Sequence, residues 1–318
     1  MTRPMTTPAS PTLTSAETAS LTARMAQLAV LVAAVLIAMK GWAWLASGSV
    51  AMLASLTDSV LDLAASLFSY FAVRYAAHPP DANHRFGHGK AEAFAGLFQA
   101  GLVAVSATLI AVEAVTRLIQ PQPLHAGVES IGVMLVSIVL TSTLIVAQTR
   151  ALKKTGSVAT AGDRAHYAAD LASNVVVIIG LAAGALWGLT WADAAAGVFV
   201  ALWLGHGAWE VARDSANHLM DHELPDADRA RIRALAEQDP NIGRVHDLRT
   251  RAAGPYIHIQ FHADLDPDQT LEQAHAIVVA AEGRIRAVYP TADIIIHPDP
   301  ADRAEPHGHE AFAEGRAE

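Results

Sequence analysis

Thr57-Asp58-Ser59-Val60-Leu61-Asp62 sets two carboxylates four residues apart in a stretch that is otherwise apolar from Val50 to Val73. An ionised carboxylate at the centre of a bilayer costs about 2.5–3.5 kcal/mol on insertion scales. A second apolar run repeats the pattern with His166 and Asp170, again four residues apart. Residues i and i+4 share a helix face, so each pair points one way. Three acids and an imidazole drawn together supply the four N/O donors of a tetrahedral Zn2+ cage, and the same set admits Fe2+ and Co2+. The competing reading is that these groups only stitch helices together. Three acids without a cation among them would repel. Lys40, in the first apolar run, either serves as that cation or snorkels to an interface.

The composition around these runs is that of a membrane protein. The chain has 318 residues, 52% hydrophobic and only 17% charged, with a mean hydropathy of +0.29. An ordinary soluble chain carries about 25% charge. There is no cysteine, so disulfides and thiolate metal sites are excluded. The formal charge of −9 argues against a nucleic-acid partner.

Six segments are long enough to span, at 25–47, 50–76, 91–119, 127–148, 159–184 and 192–213, since about 20 residues cross the hydrocarbon core as a helix. None shows the alternation of a membrane barrel. Arg74, Arg85, Lys90, Arg150, Lys153, Lys154, Arg164 and Arg213 fall on the side that also holds Arg24, with Arg117 alone opposite, so both termini are expected in the cytoplasm. Asp58 and Asp62 then lie about 12–18 Å from the outer end of the second span. For Asp170 to match that depth, the fifth span must start near Ala159, with Gly162 and Asp163 inside the helix.

The fold class expected is a polytopic α-helical membrane protein of six transmembrane helices with a C-terminal α+β domain. Residues 1–20 read as a disordered tail, 21–215 as the transmembrane domain, 216–300 as the soluble domain and 301–318 as a second disordered tail. Within the soluble domain the pattern predicts a helix over 226–238, strands over 244–251 and 256–264, a helix over 271–288 and a strand over 293–297. The order αββαβ suits an open sandwich with its helices on one face.

Three further groups carry metal-ligand chemistry. Asp81, His84 and His88 lie within eight residues between spans two and three, where a plain solvated turn is an equal reading. His246, His258, His262, His275, His297 and Asp299 are scattered through the soluble domain, and His258, Gln260 and His262 share one strand face. His206 and Glu210 are an i,i+4 pair in span six, read first as a packing hydrogen bond. His307 and His309, in the tail, suggest no more than adventitious binding.

The motifs Ser55–Asp62, Asn83-His84-Arg85-Phe86-Gly87-His88-Gly89-Lys90-Ala91-Glu92, His166-Tyr167-Ala168-Ala169-Asp170, His246–Arg251 and Ile296-His297-Pro298-Asp299-Pro300 together resemble the cation diffusion facilitator family, and its bacterial zinc/ferrous-iron efflux members most closely. The resemblance runs from about Met25 to Pro300. It implies a homodimer in the bacterial inner membrane with metallochaperone-like cytoplasmic domains that bind metal and dimerise. It implies a transport site at Asp58, Asp62, His166 and Asp170 and a loop site at Asp81, His84 and His88. A binuclear site is implied at His246, His262, His275, His297 and Asp299, and an inter-subunit salt bridge between Lys90 and Asp221. His258 has no counterpart, and Pro298 stands where close relatives often carry Gln.

The function expected is efflux of Zn2+, with Fe2+ and Cd2+ as further cargoes, in exchange for protons by alternating access. The alternatives are a membrane-anchored metal sensor and an intramembrane metalloenzyme. An enzyme is not expected, because the chain has no His-Glu-x-x-His motif and no evident general base beside the quartet.

Overall fold

In the computed structural model of the chain, the described residues are 13–47, 50–119, 128–187 and 192–302. The expected 301–318 tail, with His307 and His309, lies almost wholly outside them, as does most of 1–20. The described chain forms two compact units, a helical one over Ala19–Ala216 and a second that runs on from Asn217.

Six long helices build the first unit: α1 (Ser15–Ser47), α2 (Val50–Ala76), α3 (Ala91–Ile119), α4 (Val128–Thr155), α5 (Val158–Trp187) and α6 (Ala192–Leu219). Five of them are long and apolar enough to cross a membrane. The other, α5, has the length at 30 residues and carries Asp163, Arg164, His166 and Asp170. The chain is a multi-pass membrane protein.

α1 starts ten residues before the expected span. Thr14 and Glu17 explain the difference: the Thr14 amide donates to Glu17 Oε2 at 2.8 Å, and the Glu17 amide donates to Thr14 Oγ1 at 3.3 Å. This reciprocal cap satisfies donors that the first turn leaves open. α4 runs past its expected end through Lys153 and Lys154 and stops at Gly156, whose φ of 64° suits the residue after a helix.

Two glycines set how close α3 and α5 come. A Cβ on Gly162 would lie 2.9 Å from Gln99 Cβ and 3.1 Å from Gly96 Cα, and one on Gly96 would lie 2.9 Å from the Val158 carbonyl oxygen. Small residues let helix backbones pack directly, where van der Waals contact replaces the missing hydrophobic drive. At the start of α5, the Ser157 hydroxyl donates to the buried carboxylate of Glu92 at the start of α3 and accepts from the Thr160 amide.

The second unit holds α7 (Asp226–Ala236), β1 (Val245–Ala253), β2 (Tyr256–Leu265), α8 (Leu271–Val288) and β3 (Ala292–Pro300). β2 is central, antiparallel to β1 and parallel to β3. Odd-numbered residues of β2, Ile259, Phe261, Ala263 and Leu265, pack with Ile294 and Ile296 of β3 against Ile232 of α7 and Val278, Ala281 and Ile285 of α8. The even-numbered residues therefore form the opposite, helix-free face. Thr270 and Gln273 close a capping box at the start of α8. β3 reaches Pro300, three residues beyond the expected strand. As an edge strand it accommodates Pro298 and Pro300, whose missing N–H groups are needed only on an inner ladder.

Candidate metal centres

α5 begins at Val158, so Gly162 and Asp163 lie inside the helix, as the depth argument requires. Tyr167, buried at 1%, fixes its rotation: its hydroxyl donates to the Ala29 carbonyl of α1 at 3.2 Å and sits 2.9 Å from Ser66 Oγ of α2. This aims the neighbouring His166 at α2. His166 Nε2 lies 3.1 Å from Asp62 Oδ1 and 3.9 Å from Asp170 Oδ2. Ligand atoms of Asp62, His166 and Asp170 all fall within 4.8 Å of one another. The His166 and Asp62 side chains are 8% and 14% exposed and that of Asp170 is 34%, so the group is enclosed on the α2 side and open beside Asp170.

Of the four expected residues the structure brings three together. Asp58 is exposed one turn along α2 and stands outside the group. Lys40 settles on α2 beside the turn that carries the acids: its ammonium donates to Ser59 Oγ at 2.7 Å and to the Ser55 carbonyl at 3.2 Å. It fits the counter-charge reading and not the snorkelling one.

The loop residues converge too. Asp81 Oδ1 accepts from the amides of Asn83 and His84 at 2.8 and 2.7 Å, which folds the loop around the carboxylate. These amides hold the Asp81 carboxyl below its ordinary pKa. His84 Nδ1 is 3.3 Å from Oδ1, and His88 Nε2 is 3.4 Å from Oδ2. The two imidazoles lie 4.5 Å apart between ring centres. Gly87, at φ 80°, makes the turn that brings His88 back.

In the second unit the helix-free face of the sheet gathers a third group. His246, His262 and His297 form one row across the three strands, because His246 pairs with His262 and His262 with His297. Asp264 and Asp299 form the next row. His262 Nδ1 is 2.9 Å from Asp299 Oδ2, His246 Nε2 is 3.4 Å from the same oxygen, and His297 Nε2 is 3.2 Å from Oδ1. Asp299, 6% exposed, is the hub. The His246, His262 and Asp299 donors meet within 4.8 Å.

Sequence reasoning missed Asp264, whose Oδ1 lies 3.1 Å from His246 Nε2. Its spacing of two from His262 on a strand was the available signal. His275 sits exposed on α8, on the helical side of the sheet and outside this group. Strand alternation turns Pro298 away from His297 and Asp299. His258 shares the open face with His262 as expected, yet it pairs with Asp293 at 3.3 Å and not with the metal donors. Burial, then the nearby Arg251 charge, hold His258 below its ordinary pKa. Asp221 pairs with Arg251 at 3.1 Å. His206 and Glu210 lie 3.4 Å apart with side chains 71% and 67% exposed, so the pair does not stitch α6 to another helix of this chain.

A family model for the cation efflux transmembrane domain matches residues 26–220, and one for the cytoplasmic domain of cation efflux proteins matches 224–301. The cation-efflux pump FieF of Shewanella oneidensis is 42% identical over 265 residues, covering 83% of this chain and 89% of that one. FieF of Cronobacter sakazakii is 37% identical, covering 88% and 93%. A solved structure of CzrB in its Zn form is 31% identical over 27% of this chain and 99% of its own, with a TM-score of 0.26.

Proposed function

Because the chain belongs to the cation efflux, or cation diffusion facilitator, family, whose members are transporters and not enzymes, we propose that it exports Zn2+ from the bacterial cytoplasm in exchange for protons. Asp62, His166 and Asp170 hold the ion on its way. The observation that carries this reading is an imidazole set between carboxylates of two spanning helices, 3.1 Å from one of them. Fe2+ and Cd2+ suit the same N/O donors and are secondary cargoes.

The trio leaves a tetrahedral ion one ligand short. Asp58, one turn away on the same face of α2, supplies the fourth when α2 turns inward against α5. Metal and protons compete for the same lone pairs, because a ligand must be deprotonated to bind. Facing the cytoplasm, the deprotonated site takes Zn2+; facing the more acidic outside, it takes protons and lets the metal go. Imidazole titrates nearest to neutral pH and is the natural carrier. Alternating exposure of one site then couples the two flows.

The chain works as a homodimer in the inner membrane with both termini in the cytoplasm. The match of residues 224–301 to the family's cytoplasmic domain supports this reading. Lys90 and Asp221 pair across the dimer. A second copy that covers the histidine face completes the binuclear site and brings in its own His275. The loop trio Asp81, His84 and His88 binds metal near the membrane surface.

Purified protein in proteoliposomes tests the exchange. Zn2+ uptake into vesicles should alkalinise the lumen, because protons leave as the metal enters, and a lumen made more acidic than the bath should drive Zn2+ in uphill. Zinc movement that ignores the gradient would sink the exchange, and zinc binding without movement would favour a sensor.

A further inference from the structure

Asp163 is the acid of α5 that the proposed exchange leaves idle. It precedes His166 by three residues, so Asp163, His166 and Asp170 lie along one stripe of the helix. Its residue is 3% exposed. Gln148 of α4 donates to Oδ2 at 2.6 Å, and Gln99 of α3 donates to Oδ1 at 3.3 Å. The same Gln99 amide nitrogen lies 3.0 Å from Ser69 Oγ of α2. Among the described residues, no lysine or arginine comes within ion-pair distance of Asp163, Arg164 beside it included.

Gln99 Oε1 and Gln148 Oε1 are buried and receive no hydrogen bond. Buried amide oxygens normally find a donor, and a buried carboxylate normally finds a cation. Here the Gln148 oxygen lacks a donor and the carboxylate a cation, beside a cavity of about 10 Å³ lined by Ser69, Gln148, Thr160 and Asp163 and otherwise by apolar side chains. That is room for one water-sized occupant.

The donors are all oxygen: a carboxylate, an amide carbonyl and two hydroxyls. Zinc sites draw on nitrogen or sulfur, and Mg2+ keeps several waters that this space does not admit. The occupant that fits is small, hard and singly charged. We propose that Asp163, Gln148, Ser69 and Thr160 form a second cation station, one turn along α5 from His166, that takes one monovalent cation: a proton carried on water, or Na+. The proposal rests on the exchange reading, to which it adds a counter-ion site separate from the metal ligands. The titratable groups that face Asp163 are His166 and Tyr167 on α5 and Asp62 on α2. α1, α3 and α4 contribute only Met25, Ala26, Gln99 and Gln148.

The test uses the full-length protein and Asp163→Asn, which removes the charge and keeps the size. Zinc affinity by calorimetry should stay within about threefold of the parent, as for a change outside the metal's own ligands. Counter-ion flow should not. If the station takes a proton, Asp163→Asn moves about one proton fewer per Zn2+, and replacing Na+ by choline changes nothing. If it takes Na+, choline slows the parent several-fold and leaves Asp163→Asn unaffected. Equal proton counts and equal indifference to Na+ in both proteins would overturn the station and leave the cluster as packing. A parent that moves no counter-cation at all overturns the exchange itself, and the station with it. Should Asp163→Asn fail to purify as folded protein, Gln148→Met, which keeps the carboxylate and deletes the orphan oxygen, must show the same loss of counter-ion in weaker form, or the station is rejected.

Discussion

The helical bundle and the sheet assemble nearly the same donors by opposite means. Asp62, His166 and Asp170 come from two helices, and their spacing depends on how α2 and α5 pack. His246, His262, His297 and Asp299 come from three neighbouring strands, and backbone hydrogen bonds hold their row. In the first group exposure runs from 8% at His166 to 34% at Asp170; in the second it runs from 6% at Asp299 to 59% at His297, on a face without helices. A site on separable helices can open to either side as they move. A site on a ladder keeps its shape. The same chemistry thus suits passage in one place and tenure in the other.

The difference can be broken most forcefully at Asp62. Asp62→Ala should lower Zn2+ flux in proteoliposomes at least about 100-fold, beyond the 10–100-fold that loss of an outer partner costs a metal site. Zinc binding by the sheet, counted by calorimetry on the same protein, should be unchanged. Flux that survives would mean that the bundle group does not carry the ion.

Asp299→Asn probes the opposite side of the comparison. It removes the carboxylate shared by three histidines, and zinc affinity of the sheet should fall about 10–100-fold while transport continues at a reduced rate. A transport loss equal to that of Asp62→Ala would erase the distinction between the two sites.

Gly162→Val asks whether the bundle site depends on helix packing. The new side chain meets Gly96 and Gln99, and overpacking of this kind costs about 1–3 kcal/mol. A lower melting temperature in detergent is expected, together with a several-fold loss of flux and no change in zinc bound by the sheet. Unaltered flux would show that the α3–α5 contact does not position the trio.

The smallest effect concerns His258. Its folded pKa lies below the ordinary value of 6.5, so the unfolded chain takes up a proton first as the pH falls. Stability therefore rises with pH between the folded value and 6.5, and decreases as acid is added across that window. His258→Gln should flatten the melting temperature of the C-terminal unit against pH below 6.5. An identical slope in both proteins would place the sensitivity elsewhere.

Much of this is legible in the sequence. Apolar runs give spanning helices because lipid leaves the backbone no other partner, and i,i+4 spacing put His166 and Asp170 on one face. The starts of α5 and α8 were read to within a residue. What escaped was decided by contacts distant in sequence. Asp58 shares a face of α2 with Asp62, yet only Asp62 lies level with His166, a matter of depth along two packed helices that spacing within one helix does not give. Lys40 was ambiguous until Ser59, nineteen residues on, took its ammonium. Asp264 is a plain strand carboxylate in the sequence, and only the register that sets it beside Asp299 makes it a neighbour of the histidines.

The prolines of β3 have an effect beyond their own strand. A three-stranded sheet has two edges, each a template for the strand of another molecule. On β3, Pro298 and Pro300 lack the amide hydrogens that such pairing needs. On β1, the ladder slips between His246 and Arg249, where Asp247 adopts a φ of 47°. Irregularities of this kind twist an edge out of register for a newcomer. Neither edge therefore invites fibre-like growth, even when many copies crowd the same membrane.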